Sequence, residues 1–481
     1  MTTGAETAEV AGDGELPEGW AWATVGELCD VNPRGFDEPL SDDELLSRVP
    51  MAAVEAETGR LDPSIHVRFG DVKKKSLTSF QEEDVLFAKI TPCMENGKIA
   101  LASGLLGKRA VGSTEFMVLR SIGAVAPRYL MHYLLQTHVR RQAQQNMVGA
   151  VGQRRVPRPY LEALRIPVPP LPEQHRIVAK LEEHLVRIQV GEAAAKAALS
   201  SSQHLAEQVS GQGALGGLGS HGPLVDHALE DAGVSDGELP KLPVGWGWTR
   251  LGDVADVVGG VTKDSKKQAD ATYVEVPYLR VANVQRGALD LKNVATIRVP
   301  ASKAQALRLE SGDVLLNEGG DRDKLGRGWI WEGQIENCIH QNHVFRARIR
   351  GAKIHPRILA WHANSFGKNW CDRNGSQVVN LASISLRKIK LLPVPVPPAD
   401  IQEDLVKEVE KSLAAVQIGG QLARDALSGA VELRSSLLAT AFEGRLVSQD
   451  PADEPAPVLL ARIRAERAAH IRKRAPRRKS I

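Results

Sequence analysis

Four cysteines in 481 residues, Cys29, Cys93, Cys338 and Cys371, stand far apart with no CxxC pair. Disulfide frameworks and zinc ribbons need recurrent, closely spaced cysteines, so buried thiols are expected instead. Aromatic residues are scarce at 4%, and neither sign of charge dominates, since 61 Lys and Arg face 58 Asp and Glu for a formal +3. No apolar run approaches a membrane span. The opening MTTGAETAEVAGDGE is acidic and rich in small residues, the reverse of a signal peptide, which makes a cytoplasmic protein the expectation. Catalytic signatures are missing too. The nearest string to the (D/N)PP(Y/F/W) motif of amino-methyltransferases is NPR at 32–34, and there is no GxxxxGK(S/T) loop and no GxSxG elbow. GQGALG at 211–216 has the GxGxxG spacing, but a helical pattern precedes it and glycines follow, the wrong order for a dinucleotide fingerprint.

With 43% hydrophobic and 25% charged residues the composition is that of a globular chain, long enough for about two to four domains. The charge is unevenly spread. Residues 462–479 carry nine Lys and Arg against one acid, a net +8 that leaves −5 for the remainder. Nucleic-acid binding would therefore rest on local basic patches rather than on overall charge.

The chain repeats itself. LPEGWAWATVGELCDV (16–31) returns as LPVGWGWTRLGDVADV (242–257) with eight of sixteen positions identical. IPVPPLPEQHRIVAKLEEHL (166–185) returns at a constant offset of 228 as VPVPPADIQEDLVKEVEKSL (394–413). Shorter echoes fall between them, PRYL (127–130) with PRIL (356–359) and DVLF (84–87) with DVLL (313–316). An unbroken register of this length indicates internal duplication. Each half reads as a variable body followed by a Pro-rich hinge and a long helix.

Ile177, Leu181, Leu185 and Ile188 recur at helical spacing, as do Leu405, Val409, Leu413 and Val416. A helix from Pro172 to Ser210 would be roughly 60 Å long, more than one body needs. Two rods with the same apolar stripe can bury each other's as an antiparallel coiled coil, which makes these eight residues the expected helix–helix spacer. Gly191, Gly419 and Gly420 stand at matched depth and suggest a close crossing there. The bodies mix β-branched runs (276–289, 312–320, 343–349) with a helical stretch (129–145), an α+β class with twisted sheets.

These phrases in this order, LPEGWAW and LPVGWGW opening each body, IPVPPLPEQHRIVAKLEEHL entering the central helix, and LRSSLLATAFEGRLVSQDPADEPAPVLLARIRAERAA near the C-terminus, resemble the specificity subunits of type I restriction-modification systems over nearly the whole chain. The resemblance implies target-recognition domains at 16–165 and 242–393 and conserved helical regions at 166–210 and 394–447, to which the residues themselves add a disordered N-terminus (1–15), a flexible linker (211–241) and a basic tail (448–481). It also implies a noncatalytic adaptor. Each body would read one half of an asymmetric bipartite site in double-stranded DNA, and the helices would set the gap. Two modification subunits would dock and methylate adenine N6, and restriction subunits would join for cleavage. This chain would bind no cofactor or metal itself; S-adenosylmethionine, Mg and ATP would belong to the partners, and no membrane is involved. One departure stands out: after Ser200 the first copy runs into SSQHLAEQVSGQGALGG instead of a match to LLATAFEGRL, which suggests unequal scaffold ends.

Candidate DNA contacts are loop clusters of donors. In the first body these are Lys73, Lys74, Lys75, Lys89, Gln153, Arg154 and Arg155. In the second they are Lys263, Lys266, Lys267, Arg280, Asn283, Arg286, Arg322, Lys324, Arg327, Asn374 and Gln377. Arg matches guanine O6/N7, Asn and Gln match adenine N6/N7, and Lys meets phosphate. For any single member a solvated surface charge is an equal alternative. CIHQNH (338–343) offers Cys338, His340 and His343, but on a strand the first two would point one way and His343 the other, against a shared metal. The basic tail is expected to start as a docked helix and to end as a mobile arm with nonspecific DNA affinity. A freestanding two-headed DNA-binding regulator, or a purely structural coiled-coil protein, are the readings from other classes; neither would require a methyltransferase partner for good behaviour in solution.

Overall fold

The computed structural model describes residues 15–36, 38–219, 221–264, 268–321, 324–378 and 381–474. The disordered N-terminus expected over 1–15 falls almost wholly outside this range, as does the arm beyond residue 474. The fold is α+β and divides into two compact units, one built from residues 1–194 with 426–481, the other from 195–425. No helix among the described residues is long and apolar enough to cross a membrane.

In the first unit, strands Cys29–Val31, Phe116–Ser121, Val85–Ala88 and Ile99–Leu101 form one antiparallel sheet in that spatial order. VLFA at 85–88 is buried on both faces, which is why it reads as an unbroken apolar run rather than an alternating one. A second, mixed sheet orders His66–Arg68, Leu45–Val49, Arg109–Gly112 and Thr78–Gln81. Ala21–Thr24 pairs with Arg165–Val168, so the opening phrase closes against the Pro-rich hinge. The predicted helix 129–145 is two helices, Pro127–Leu135 and Thr137–Gln145, interrupted at Gln136.

The second unit repeats the plan. Ala255–Gly259, Val344–Ile349, Val314–Asn317 and Gly328–Ile330 form the matching antiparallel sheet, and Gly247–Arg250 pairs with Pro393–Val396. Its other main sheet orders Ala295–Val299, Val274–Leu279 and Ile339–His340. Helices Pro356–Asn364 and Phe366–Asn374 follow.

Polar contacts recur along with the topology. Buried Asp84 accepts two hydrogen bonds from Arg120, both at 2.8 Å, and buried Asp313 accepts two from Arg348, also at 2.8 Å. Gln174 donates to the carbonyls of Ala124 and Pro169, and Gln402 to those of Lys353 and Pro397, in each case pinning the first turn of a long helix to its body. Arg128 pairs with Glu182, and Arg357 with Glu410.

The two long helices, Leu171–Ala214 and Gln402–Phe442, each contribute one half to each unit. In the first unit Ile177 and Leu181 share a core with Trp20, Leu28, Tyr129, Leu438, Ala441 and Phe442, and Arg434 pairs with Glu192 at 3.1 Å. In the second, Leu405, Val406 and Val409 share a core with Val209, Ala214, Trp246 and Trp361. The expected spacer residues thus serve two surfaces. Ile177, Leu181, Leu405 and Val409 are fully buried in body cores, Leu185 and Leu413 pack at their edges, Ile188 is buried, and Val416 is half-buried.

The close crossing expected at Gly191 is absent. A Cβ there would meet nothing within 4 Å, and Gly419 and Gly420 lie only in ordinary contact with Ser202. The tight approach comes instead at Gly213, where a Cβ would overlap Val409.

The unequal ends read from the sequence are also corrected. After Phe442 the chain turns at Gly444, φ +74°, against Pro17 and Trp20; after Ala214 it turns at Gly216, φ +72°, against Pro243 and Trp246. GQGALGGLG therefore does the work of ATAFEGRL, with glycine and alanine in place of bulkier side chains. The repeated LPxGW is the seat for this turn. Trp20 N–H donates to the Pro17 carbonyl and Trp246 N–H to that of Pro243, with Gly19 and Gly245 at the positive φ that such a turn demands of its third residue.

The described residues of 211–241, expected as a flexible linker, are tied to their body. Asp236 accepts hydrogen bonds from Arg250 and from Trp370 Nε1, and Ser235 is clasped by the Asn374 amide. The basic tail begins as a helix, Ala456–Arg474, with Ala456 and Leu460 in the first unit's core. Arg464 pairs with Glu27 and Arg467 with Asp30, so these two charges are spent within the protein.

Two substitutions separate the seat from the helix. Gly216→Val is expected to destabilise the second unit by about 2–4 kcal/mol, combining left-handed backbone strain with overlap on Trp246. Gly191→Ala should stabilise its helix by about 1 kcal/mol because the site is open. Thermal unfolding of each variant beside the unaltered chain checks both signs.

Candidate nucleic-acid interface

Strand register decides which loops meet in the first body. Ala88 is opposite Phe116, and Thr78 and Val49 are both opposite Gly112, which sets the turn Ser113–Glu115 beside the ends of three strands. Lys89 N–H donates to the Glu115 carbonyl, and Val156 N–H donates to the Lys89 carbonyl. The Lys89 ammonium donates to the Thr114 carbonyl at 2.7 Å. Val148 and Arg155 exchange two backbone hydrogen bonds and close a hairpin. Arg155 then clasps Glu115 through Nε at 3.0 Å and Nη2 at 2.8 Å, while its Nη1 donates to the Gln153 carbonyl. That guanidinium holds the Glu115 carboxyl below its ordinary value despite partial burial.

Lys89, Gln153, Arg154 and Arg155 therefore form one corner, with unequal freedom. Arg155 is the lock of the hairpin; Gln153 is exposed and Arg154 half-exposed. Val151 at the tip is fully exposed. Lys73 bonds both carboxylate oxygens of Asp42, whereas Lys74 and Lys75 are exposed and have no charged partner among the described residues. Lys74 and Lys75 thus retain the mobility that phosphate contact uses.

The second body builds the same corner with other side chains. Glu318 N–H donates to the His343 carbonyl, and Ile384 N–H donates to the Glu318 carbonyl, so Glu318 stands where Lys89 stands and His343 where Glu115 stands. His343 Nδ1 lies 2.7 Å from Glu318 Oε2. Lys263 is exposed and follows Val261, which accepts from Asn342 N–H. Lys324 pairs with Asp321. Glu318 and His343 were not among the expected contacts. Carrying the DVLF/DVLL match two residues further would have set Lys89 against Glu318.

Several expected contacts are structural instead. Asn283 is buried, accepts from Arg280 N–H, and spends its amide hydrogens on the carbonyls of Asp290 and Asn293. Asn374 is buried and clasps Ser235. Neither can offer an amide to a base, because every group that would pair is already bonded inside. Arg327 is buried with Nη2 near the Val281 carbonyl, and Arg280 is half-buried. Arg286 donates to the Asn364 carbonyl in a groove of about 960 Å³ that also takes in Trp329, Arg357, Trp361 and Gln417. Lys266, Lys267 and Arg322 lie outside the described residues, as does the side chain of Gln377, whose backbone is in strand Ser376–Val378.

The three groups of CIHQNH go separate ways. Cys338 is buried and its thiol is pushed up to about 12 by desolvation. His340 is fully buried, with Nδ1–H donating to the Val344 carbonyl at 2.6 Å, and His343 faces Glu318. Burial lowers His340 to about 4, and likewise His362, whose Nε2–H donates to the Pro393 carbonyl. A histidine depressed in the fold contributes stability that is complete above 6.5 and lost as pH falls through 6.5 toward about 4. The second unit should lose on the order of 2 kcal/mol for each histidine between pH 7 and 4.5. Six of the eight tryptophans lie in that unit, so unfolding followed by their fluorescence measures it, and His362→Gln should halve the loss.

Comparison with known proteins adds an independent line. The family model described as type I restriction modification DNA specificity domain matches residues 17–195. The chain is 28% identical to the type I restriction enzyme EcoAI specificity subunit of Escherichia coli, over 82% of this chain and 78% of that one. It is 24% identical to the EcoKI specificity subunit of Escherichia coli strain K12, over 97% and 99%. A solved structure described by complex assembly and conformational transition of the type I R-M system aligns with TM-score 0.69 at 20% identity, covering 90% of this chain and 99% of that one. The HsdS subunit of Thermoanaerobacter tengcongensis aligns with TM-score 0.56 at 20% identity, over 90% and 99%.

Proposed function

We propose that this chain, a member of the family of type I restriction-modification DNA specificity subunits, reads an asymmetric bipartite sequence and delivers modification subunits to it. The observation that carries the reading is the repeated corner. Two bodies share a sheet order, a buried aspartate clasped by an arginine and a helix-end seat, yet present Lys89, Glu115 and Arg155 in one case and Glu318 and His343 in the other. A common scaffold with unlike recognition corners fits two related readers of two unlike half-sites, the two copies having arisen by duplication.

The bodies over 16–165 and 242–393 would be the target-recognition domains. The helical regions over 166–210 and 394–447 would pair as an antiparallel coiled coil that fixes the gap, as in any two-headed reader whose half-site spacing follows from protein geometry. Exposed cations such as Lys74, Lys75 and Lys263 would hold phosphates and set register, while the corners read base edges. The chain itself would perform no chemistry. Docked modification subunits would bring S-adenosylmethionine and methylate adenine N6, and restriction subunits with Mg and ATP would cleave unmodified DNA. The setting is the cytoplasm, where these partners and the DNA are found together.

Adenine-methylation mapping by long-read sequencing tests this directly. Cells expressing the chain with its neighbouring methyltransferase subunit should acquire one new bipartite motif with unlike halves, absent when either is expressed alone. An active methyltransferase that yields no such motif would sink the reading.

A further inference from the structure

Glu318 is the carboxylate in these two corners that phosphate contact does not explain, since Glu115 is already clasped by Arg155. A carboxylate among phosphates costs affinity at every sequence, and its counterpart at the same backbone station is the cation Lys89. Yet Glu318 is a deliberately oriented group. Its N–H and C=O are both fixed by strand ends, and His343 holds Oε2 at 2.7 Å while Oε1 has no hydrogen-bond partner among the described residues. The Glu318 side chain is 26% exposed and that of His343 54%, which leaves the acid recessed but reachable.

An ionised carboxylate only accepts hydrogen bonds. In the major groove it can therefore meet only the amino groups of cytosine and adenine. Adenine sets its N7 acceptor beside N6, which repels a second acceptor, whereas cytosine offers N4–H without that neighbour. We propose that Glu318, positioned by His343, reads the N4 amino group of one cytosine in the half-site of the second body. At the matched station of the first body Lys89 offers only donors, the complement of a guanine edge. The same place in the scaffold thus carries opposite hydrogen-bond polarity in the two readers. This assignment rests on the specificity-subunit reading above and names one of its base contacts.

The test uses the assembled complex with its modification subunits. Methylation motifs are mapped for the unaltered chain, Glu318→Gln and Lys89→Gln, and binding is then measured on duplexes carrying the mapped motif with single base-pair substitutions. Glu318→Gln should relax discrimination at one C·G pair by roughly 5- to 150-fold and favour A·T there, since an amide matches adenine N6/N7. Lys89→Gln should change the other half only. His343→Ala should reduce the same discrimination ratio without changing binding to a duplex already substituted at that pair, a readout that a merely structural role would not separate. The assignment is overturned if Glu318→Gln keeps the full motif, or if it weakens binding equally on every duplex. Failure of the unaltered chain to give any bipartite motif removes the underlying reading, and the assignment with it, and is distinguishable because it precedes any substitution.

Discussion

Everything in this protein hangs on the seat that LPxGW makes for the end of a helix that does not belong to its own half of the sequence. The body opened by Pro17 and Trp20 receives Gly444, and the body opened by Pro243 and Trp246 receives Gly216. A positive-φ glycine is needed at each because the chain must reverse while its Cα lies against a proline and an indole. Around this contact the first unit's core runs without a break from Trp20 and Leu28 through Tyr129 to Ile177, Leu438 and Phe442. Two T-shaped contacts fasten it, Phe442 meeting Tyr129 at 4.9 Å and Tyr133 at 5.2 Å between ring centroids. The helices are consequently walls of the bodies as well as partners for each other.

The scaffold was largely legible in the residues. Repeated phrases marked two bodies that share one sheet order, helical spacing located both long helices, and the apolar runs marked strands. What misled was the reading of small residues. Gly191 and Gly419 matched in sequence and invited a crossing, but antiparallel partners are paired by opposite depth rather than by equal depth. Ser202 meets Gly420 and Val409 meets Gly213. The equivalence of the helix ends was hidden because ALGGL (214–218) and FEGRL (442–446) share only one glycine and one leucine.

The two corners proposed to read DNA were less legible, for a physical reason. A base-reading group is defined by which neighbours leave it free, and that depends on strand register and on bonds across distant loops. Asn283 and Asn374 have the right chemistry for adenine and are consumed inside the fold. Arg155 has the right chemistry for guanine and is locked onto Glu115. Glu318 has the charge that a search for cations passes over, and only its backbone bonds show that it occupies the Lys89 station.

The division of the chain also imposes an order of assembly. The second unit is a single stretch, 195–425, and every residue of its core has left the ribosome before the last helix is finished. The first unit is interrupted, and Leu438, Ala441, Phe442, Ala456 and Leu460 must arrive from the far end of the chain before its core can close. The body translated first is the body completed last. Throughout synthesis Tyr129, Tyr133 and Trp20 wait without their aromatic and aliphatic cover, a period during which chaperone binding has more apolar surface to grasp on the older body than on the newer one.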